Sequence, residues 1–267
     1  MPRPRLVGIL NITEDSFSDG GRFLDPAAAL AQARRLAAGG ADIVELGAAA
    51  SNIAAGQVSP AEEVGRLEPV IAALQAGGTA ISIDSYSPQG QRFAIERGVE
   101  YLNDIHGFPD PAAYPLLAAA SCRLVVMHSV QADGRAQRID LDGTEVWRRI
   151  EDFFADRVPR LERAGLARER LVLDPGMGFF LSSRPEASLS VLAGLDRLKQ
   201  RFGLPIMVSV SRKSFLGAIT GRPTGELGPA SLAAELYAAA HGADFIRTHD
   251  PAALRDALTV MEALQTL

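Results

Sequence analysis

Short apolar runs recur along the chain, at residues 6–10, 42–46, 80–83, 100–102, 123–127, 171–173, 206–210 and 243–246. Most are unbroken rather than alternating, which is the pattern of parallel strands covered on both faces. Between them lie stretches with helical periodicity and helical punctuation. Residues 26–38 begin with Pro26 and stop at Gly39-Gly40. Residues 59–74 begin with Ser59-Pro60, carry Glu62 at capping-box spacing, and stop at Gly77-Gly78. Further helices are predicted at 88–97, 110–120, 144–164, 185–201, 212–219, 229–241 and 251–264. Pro159 lies inside the longest of them and is expected to kink or split it.

A strand–helix unit repeated eight times, with no linker or low-complexity segment between units, predicts one α/β domain over residues 1–267. Parallel strands with helical crossovers leave a closed barrel or an open doubly wound sheet. Eight regular units at this length favour a single (β/α)8 TIM barrel. A hydrophobic fraction of 47% and a charged fraction of 22% suit a globular chain, and a net charge of -5 offers nucleic acid no basic surface. Cys122, the one cysteine, sits in an apolar run and is expected to be buried; it excludes an intrachain disulfide. The first apolar run is too short for a signal-peptide core or a membrane span, so a cytoplasmic enzyme with no membrane partner is expected.

Catalytic groups of such barrels come from the carboxyl ends of the strands. Here nearly every run ends in reactive side chains: Asn11, Glu45, Asp84, Asn103-Asp104, Met127-His128, Asp174, Ser211-Arg212-Lys213, and Arg247 with His249. Each alone could be a cap or a surface residue. Their convergence on one rim describes a polar cleft of mixed charge.

Several segments resemble the signatures of dihydropteroate synthases. Residues 8–21 (Gly-Ile-Leu-Asn-Ile-Thr-Glu-Asp-Ser-Phe-Ser-Asp-Gly-Gly) look like the first signature. Asp174-Pro175-Gly176-Met177-Gly178-Phe179, Ser211-Arg212-Lys213-Ser214 and Arg247-Thr248-His249-Asp250 look like later ones. The resemblance implies an enzyme of folate biosynthesis that joins 6-hydroxymethyl-7,8-dihydropterin diphosphate to p-aminobenzoate, giving dihydropteroate and diphosphate. By the same resemblance Asp84, Asn103, Ile105, Met127, Asp174, Gly178 and Lys213 hold the pterin. Phe17, Ser51, Phe179 and Ser214 meet p-aminobenzoate, and Asn11, Arg247 and His249 take diphosphate. Asn11 binds the cofactor Mg²⁺, and Asp84, Lys213, Arg247 and His249 are the catalytic set. A homodimer is implied, as is a lid formed by residues 15–21. These roles suit the chemistry. A carboxylate and an amide match the donor–acceptor edge of a pterin, an arginine grips phosphate, and Mg²⁺ takes few protein oxygens beside substrate phosphates.

Two loops depart from the family pattern. Where the family reads Gly-Gly-Glu-Ser-Thr-Arg-Pro-Gly, this chain has Gly47-Ala48-Ala49-Ala50-Ser51-Asn52-Ile53-Ala54. The loop at residues 177–183 also looks longer than usual. Both changes lie on the p-aminobenzoate side, a combination similar to the sulfonamide-insensitive, resistance-conferring subgroup, with Phe179-Phe180-Leu181 as a bulky wall. The alternatives are a methyltetrahydrofolate-binding methyltransferase and a non-catalytic pterin-binding homologue. The first would not need Asn11, Arg247 and His249, and the second should have lost one of Asn11, Asp84, Lys213 or Arg247.

Overall fold

The structure, a computed structural model, describes residues 3–13, 25–48, 58–131 and 138–265. Its strands are β1 Arg5–Asn11, β2 Ile43–Gly47, β3 Ala80–Asp84, β4 Tyr101–Asp104, β5 Arg123–Met127, β6 Leu171–Asp174, β7 Met207–Val208 and β8 Phe245–Thr248. All neighbouring strands pair in parallel, in the order β6-β5-β4-β3-β2-β1-β8-β7. A parallel bridge between Leu173 and Ile206 joins the two ends, so the sheet closes on itself as the expected (β/α)8 barrel. The helices are α1 Pro26–Ala38, α2 Pro60–Ala76, α3 Pro88–Glu96, α4 Tyr114–Ala119, α5 Gly143–Arg163, α6 Pro185–Ala193, α7 Leu195–Phe202, α8 Ser214–Thr220, α9 Gly228–Ala240 and α10 Pro251–Gln265.

Local chemistry explains where these elements start. Asp25, Ser59, Ser87 and Asp142 each accept an amide of the first turn, from Ala28, Glu62, Gly90 and Glu145. The predicted capping box at Ser59 is only half formed. Glu62 instead pairs with Arg66, whose guanidinium also reaches the carbonyls of Ile12 and Ala48 at the barrel mouth.

Three predictions about elements need correction. Pro159 does not split α5, because it faces solvent and the carbonyl it leaves unpaired by the helix belongs to exposed Ala155. The single helix expected at 185–201 is broken at Gly194, where the ring of Trp147 packs so closely that a Cβ would stand 2.5 Å from Trp147 Cζ2. β7 is shorter than the run at 206–210, since the Ile206 amide is taken by the Asp244 carboxylate at 2.9 Å and no ladder extends past Val208. Cys122 is buried as expected.

The bottom of the barrel carries a repeated tie. The residue just before each even-numbered strand reaches back to the preceding odd-numbered strand or its approach. Asp42 accepts the Leu6 amide at 2.7 Å, Glu100 the Ile81 amide at 2.8 Å and Asp244 the Ile206 amide. Arg170 instead donates to the Cys122 carbonyl at 2.9 Å. These bonds satisfy main-chain groups that the short strands leave over.

The Gly194 break generates a prediction. Gly194→Ala should force Trp147 from its place and cost about 1–3 kcal/mol. The expected result in chemical denaturation is a lower midpoint with an unchanged slope.

Candidate active site

Side chains alternate across a strand, so residues two apart share a face. Ile43, Tyr101, Val125, Val172 and Phe245 form an apolar ring inside the lower barrel with Val7 and Met207. Two residues further along the same strands stand Glu45, Asn103, Met127, Asp174 and Arg247. One pleat therefore carries the interior from hydrocarbon to a charged layer. Register places Asn11, Gly47, Asp84 and Asn103 side by side at the mouth.

Glu45 is fully buried. A carboxylate in such a place needs a counter-charge and hydrogen bonds, and it has both. Arg247 Nε donates to Oε1, while Ser82 Oγ and Asn103 Nδ2 donate to Oε2 at 2.9 and 3.4 Å. Arg247 Nη2 also donates to Asp84 Oδ2 at 3.2 Å. The arginine assigned to diphosphate by resemblance is thus also the counter-ion of two carboxylates. Sequence reasoning named Glu45 as a rim residue and missed this anchoring role. The available signal was a lone acid inside an otherwise apolar strand.

Crowding sets the protonation of this centre. Burial, then the nearby Glu45 charge, pushes Asp84 up to about 7, against the pull of Arg247. Burial raises Asp174 to about 6, opposed by the Gly176 amide, which donates to Oδ1 at 2.8 Å. Burial and the charge of Arg247 bring Lys213 down to about 8, and its Nζ lies 5.0 Å from the Phe180 ring centroid. These groups sit close to the neutral range, where small changes in environment shift their charge.

Two neighbours on β4 divide their work. Asp104 braces the following loop, accepting from Gln91 Nε2 at 2.9 Å, the His106 amide at 2.8 Å and the Phe108 amide at 3.1 Å, so that Phe108 is held at φ 60°. Asn103 presents a buried Oδ1 that has no hydrogen-bond partner, the mark of an acceptor awaiting a ligand. His128, another rim residue, is a loop support. Its Nδ1–H donates to the Pro175 carbonyl at 3.0 Å, and burial lowers its pKa to about 4. The next turn needs Gly176, at φ 77°, because a Cβ there would lie 2.5 Å from the His128 carbonyl oxygen.

Ile105, Met127 and Phe180 form a separate apolar cluster beside these polar groups. Gly178, at φ 65°, comes close to Ser214, whose Oγ would be 3.1 Å from a Cβ at that position. His249 is bound through Nδ1 to Ser211 Oγ at 3.0 Å. Of the proposed wall, Phe180 packs against Lys213 and Leu181 is fully buried, while Phe179 is half-buried and the most accessible of the three. Phe17, Ser51, Asn52, Ile53 and the lid at 15–21 lie outside the described residues.

A barrel with this mouth matches the family model for pterin binding enzymes over residues 7–249. Among curated proteins, dihydropteroate synthase type-2 of Escherichia coli is 58% identical over 97% of this chain and 96% of its own length. Among solved structures, the Yersinia pestis dihydropteroate synthase with a sulfonamide drug complex superposes with TM-score 0.90 at 32% identity, over 99% of this chain and 94% of that one. The Burkholderia cenocepacia dihydropteroate synthase complexed with 7,8-dihydropteroate gives 0.88 at 34%, over 100% and 93%. The chain belongs to the pterin-binding enzymes and, within them, to the dihydropteroate synthases.

The raised pKa of Asp174 makes a prediction with a definite sign. A carboxyl whose folded pKa lies above its unfolded value stabilises the fold fully below the unfolded value and loses that contribution as pH rises through the folded one. Here the loss runs from 3.8 to about 6, on the order of 3 kcal/mol. Asp174→Asn should therefore gain stability relative to the unmodified enzyme as pH rises across that window, while weakening pterin binding. Parallel melting curves at both ends of the window check the first part, and pterin titration checks the second.

Proposed function

We propose that the chain condenses 6-hydroxymethyl-7,8-dihydropterin diphosphate with p-aminobenzoate. The observation that carries this reading is the buried, unpartnered Asn103 Oδ1, in a charged layer with Asp174 and beside the apolar cluster of Ile105, Met127 and Phe180. An acceptor amide and a carboxylate suit the amino-pyrimidinone edge of a pterin, and the cluster suits its flat faces. Asp84, when ionised, would stabilise positive charge on the pterin as diphosphate departs. Arg247 and His249 would supply the groups for the departing anion, Lys213 would meet the pterin, and Ser214 and Phe179 would flank the second substrate.

Among the described residues no group of three His, Cys, Asp or Glu could hold a metal. A Mg²⁺ ion would accordingly rely on Asn11 with substrate phosphates and water, as this hard cation commonly does. The space fits: Gly47, in register with Asn11, has no side chain, and a Cβ there would sit 3.5 Å from Asn11 Oδ1. Bound Mg²⁺ would offset charge on the leaving diphosphate. Exposed apolar Ile219, Tyr237, Val260 and Met261, on α8, α9 and α10, support a homodimer. Among the described residues no helix is long and apolar enough to cross a membrane, which supports a cytoplasmic enzyme.

The synthase reading is tested by steady-state formation of dihydropteroate from the two substrates. EDTA should abolish it and Mg²⁺ restore it; full turnover in metal-free buffer would sink the role of Asn11, and no product under any condition would sink the synthase itself.

The loop after β6 supports insensitivity to sulfonamides, which carry a substituent beyond the point where the p-aminobenzoate carboxylate ends. Phe179 is its half-buried ring, and its carbonyl is held by Gln131 Nε2 at 2.5 Å. A wall in space the substrate never enters discriminates against the drug alone. Sulfamethoxazole should inhibit poorly, and Phe179→Ala should tighten its inhibition by roughly tenfold, about 1.4 kcal/mol. Potent inhibition of the unmodified enzyme would contradict this.

A further inference from the structure

Helix α9 has no catalytic motif, yet it turns two polar side chains, one helical turn apart, against the end of β7. Ser231 Oγ accepts the Arg212 amide at 2.9 Å and thereby holds that residue at φ 56°. Glu235 is 2% exposed, and its Oε1 has no hydrogen-bond partner. The hydroxyls of Thr248 and Ser211 face this carboxyl. Both hydroxyl groups are themselves buried. Ser211 Oγ lies 3.0 Å from His249 Nδ1 and accepts the His249 amide at 3.2 Å. A chain of contacts therefore runs from Glu235 through Ser211 to His249.

A serine hydroxyl has one hydrogen and two acceptor sites. One acceptor site of Ser211 is used by the His249 amide, so the remaining hydrogen and lone pair must be shared between Glu235 and His249 Nδ1. If Glu235 is protonated, it donates to Ser211, and Ser211 donates to Nδ1. The imidazole then carries its hydrogen on Nε2. If Glu235 is ionised, Ser211 donates to it and Nδ1–H donates to Ser211, which strips Nε2 of its hydrogen.

We propose that Glu235 is a positioning residue that selects, through Ser211, which ring nitrogen of His249 holds the proton. The functional half of this inference rests on the reading that His249 meets the diphosphate. A neutral imidazole with hydrogen on Nε2 donates to an anion, and the other tautomer turns a lone pair toward it. Protonating the ring to restore a donor is opposed by burial and by the charges of Arg212, Arg247 and Lys213. Burial pushes Glu235 up to about 7, against the hydroxyls of Thr248 and Ser211, with Asp250 raising it further and Arg212 lowering it. The switch would therefore lie in the physiological range, and affinity for the diphosphate substrate would fall as pH rises through it.

Nitrogen NMR of histidine-labelled enzyme reads the tautomer directly, with His249→Gln assigning the signal. Below pH 7 the unmodified enzyme should show a pyridine-type Nδ1 at His249, and above it a pyrrole-type Nδ1. In Glu235→Gln the amide still donates to Ser211, so Nδ1 should stay pyridine-type at both. Ser211→Ala should likewise remove the pH response. In kinetics, KM for the pterin diphosphate should rise about tenfold per pH unit above the midpoint, and Glu235→Gln should flatten that limb. A tautomer that is the same on both sides of the midpoint, or that follows pH equally in Glu235→Gln, overturns the proposal. Titration with inorganic diphosphate and Mg²⁺ keeps the two readings apart: a His249 signal that ignores diphosphate overturns the placement of His249 at the leaving group, whereas a diphosphate response with a fixed tautomer overturns only the role of Glu235.

Discussion

The pairing of Glu45 with Arg247 is the constraint around which the upper barrel is arranged. A carboxylate with no exposure is tolerable only with a charged partner and filled lone pairs, and removing one partner of such a pair typically costs about 3–5 kcal/mol. The pair fixes Arg247 at the end of β8, and Arg247 in turn holds Asp84. Glu45 orients the Asn103 amide by accepting from its Nδ2, which leaves the oxygen of that amide facing away. The negative field of Glu45 also helps to keep Asp84 near neutrality. One buried ion pair thereby sets the direction of an acceptor, the aim of a cation and the charge of the neighbouring carboxyl of Asp84.

Around this centre the polar residues of the rim fall into two groups. Asp84, Asn103, Asp174, Lys213 and Arg247 surround the shaft. Asp104 and His128 face the other way and tie down main-chain loops. The second group makes the first precise, because a loop whose carbonyls and amides are satisfied cannot easily drift over the mouth. Asp104 and His128 were indistinguishable by type from their neighbours in the sequence. What separates them is only which side of the strand end they leave from.

Much of the fold was legible because it rests on repetition. Eight apolar runs, most of them unbroken, with helical punctuation between them specify parallel strands and favour a barrel over an open sheet, and most candidate site residues stand at the strand ends, as expected. What escaped was long-range. The break at Gly194 depends on Trp147, far away in the chain. The burial of Phe180 depends on Lys213 arriving above it. Glu235 sits in a helix rich in Ala and Leu, with an acid on the inward face as its only signal. No local pattern announces such partners, since they are made by the closure of the barrel.

The ties at the bottom of the barrel bear on how the molecule divides. Each joins an odd strand to the even strand that follows it, so the eight strands read as four stapled pairs. Among the described residues no such side-chain staple spans β2 and β3, or β4 and β5, or β6 and β7. Severing the chain in one of those intervals leaves every staple inside a single fragment, whereas severing it between β1 and β2 parts Leu6 from Asp42. The natural seams of this barrel for fragment complementation or circular permutation therefore fall after every second strand, and the unit that can be moved intact is a quarter of the ring.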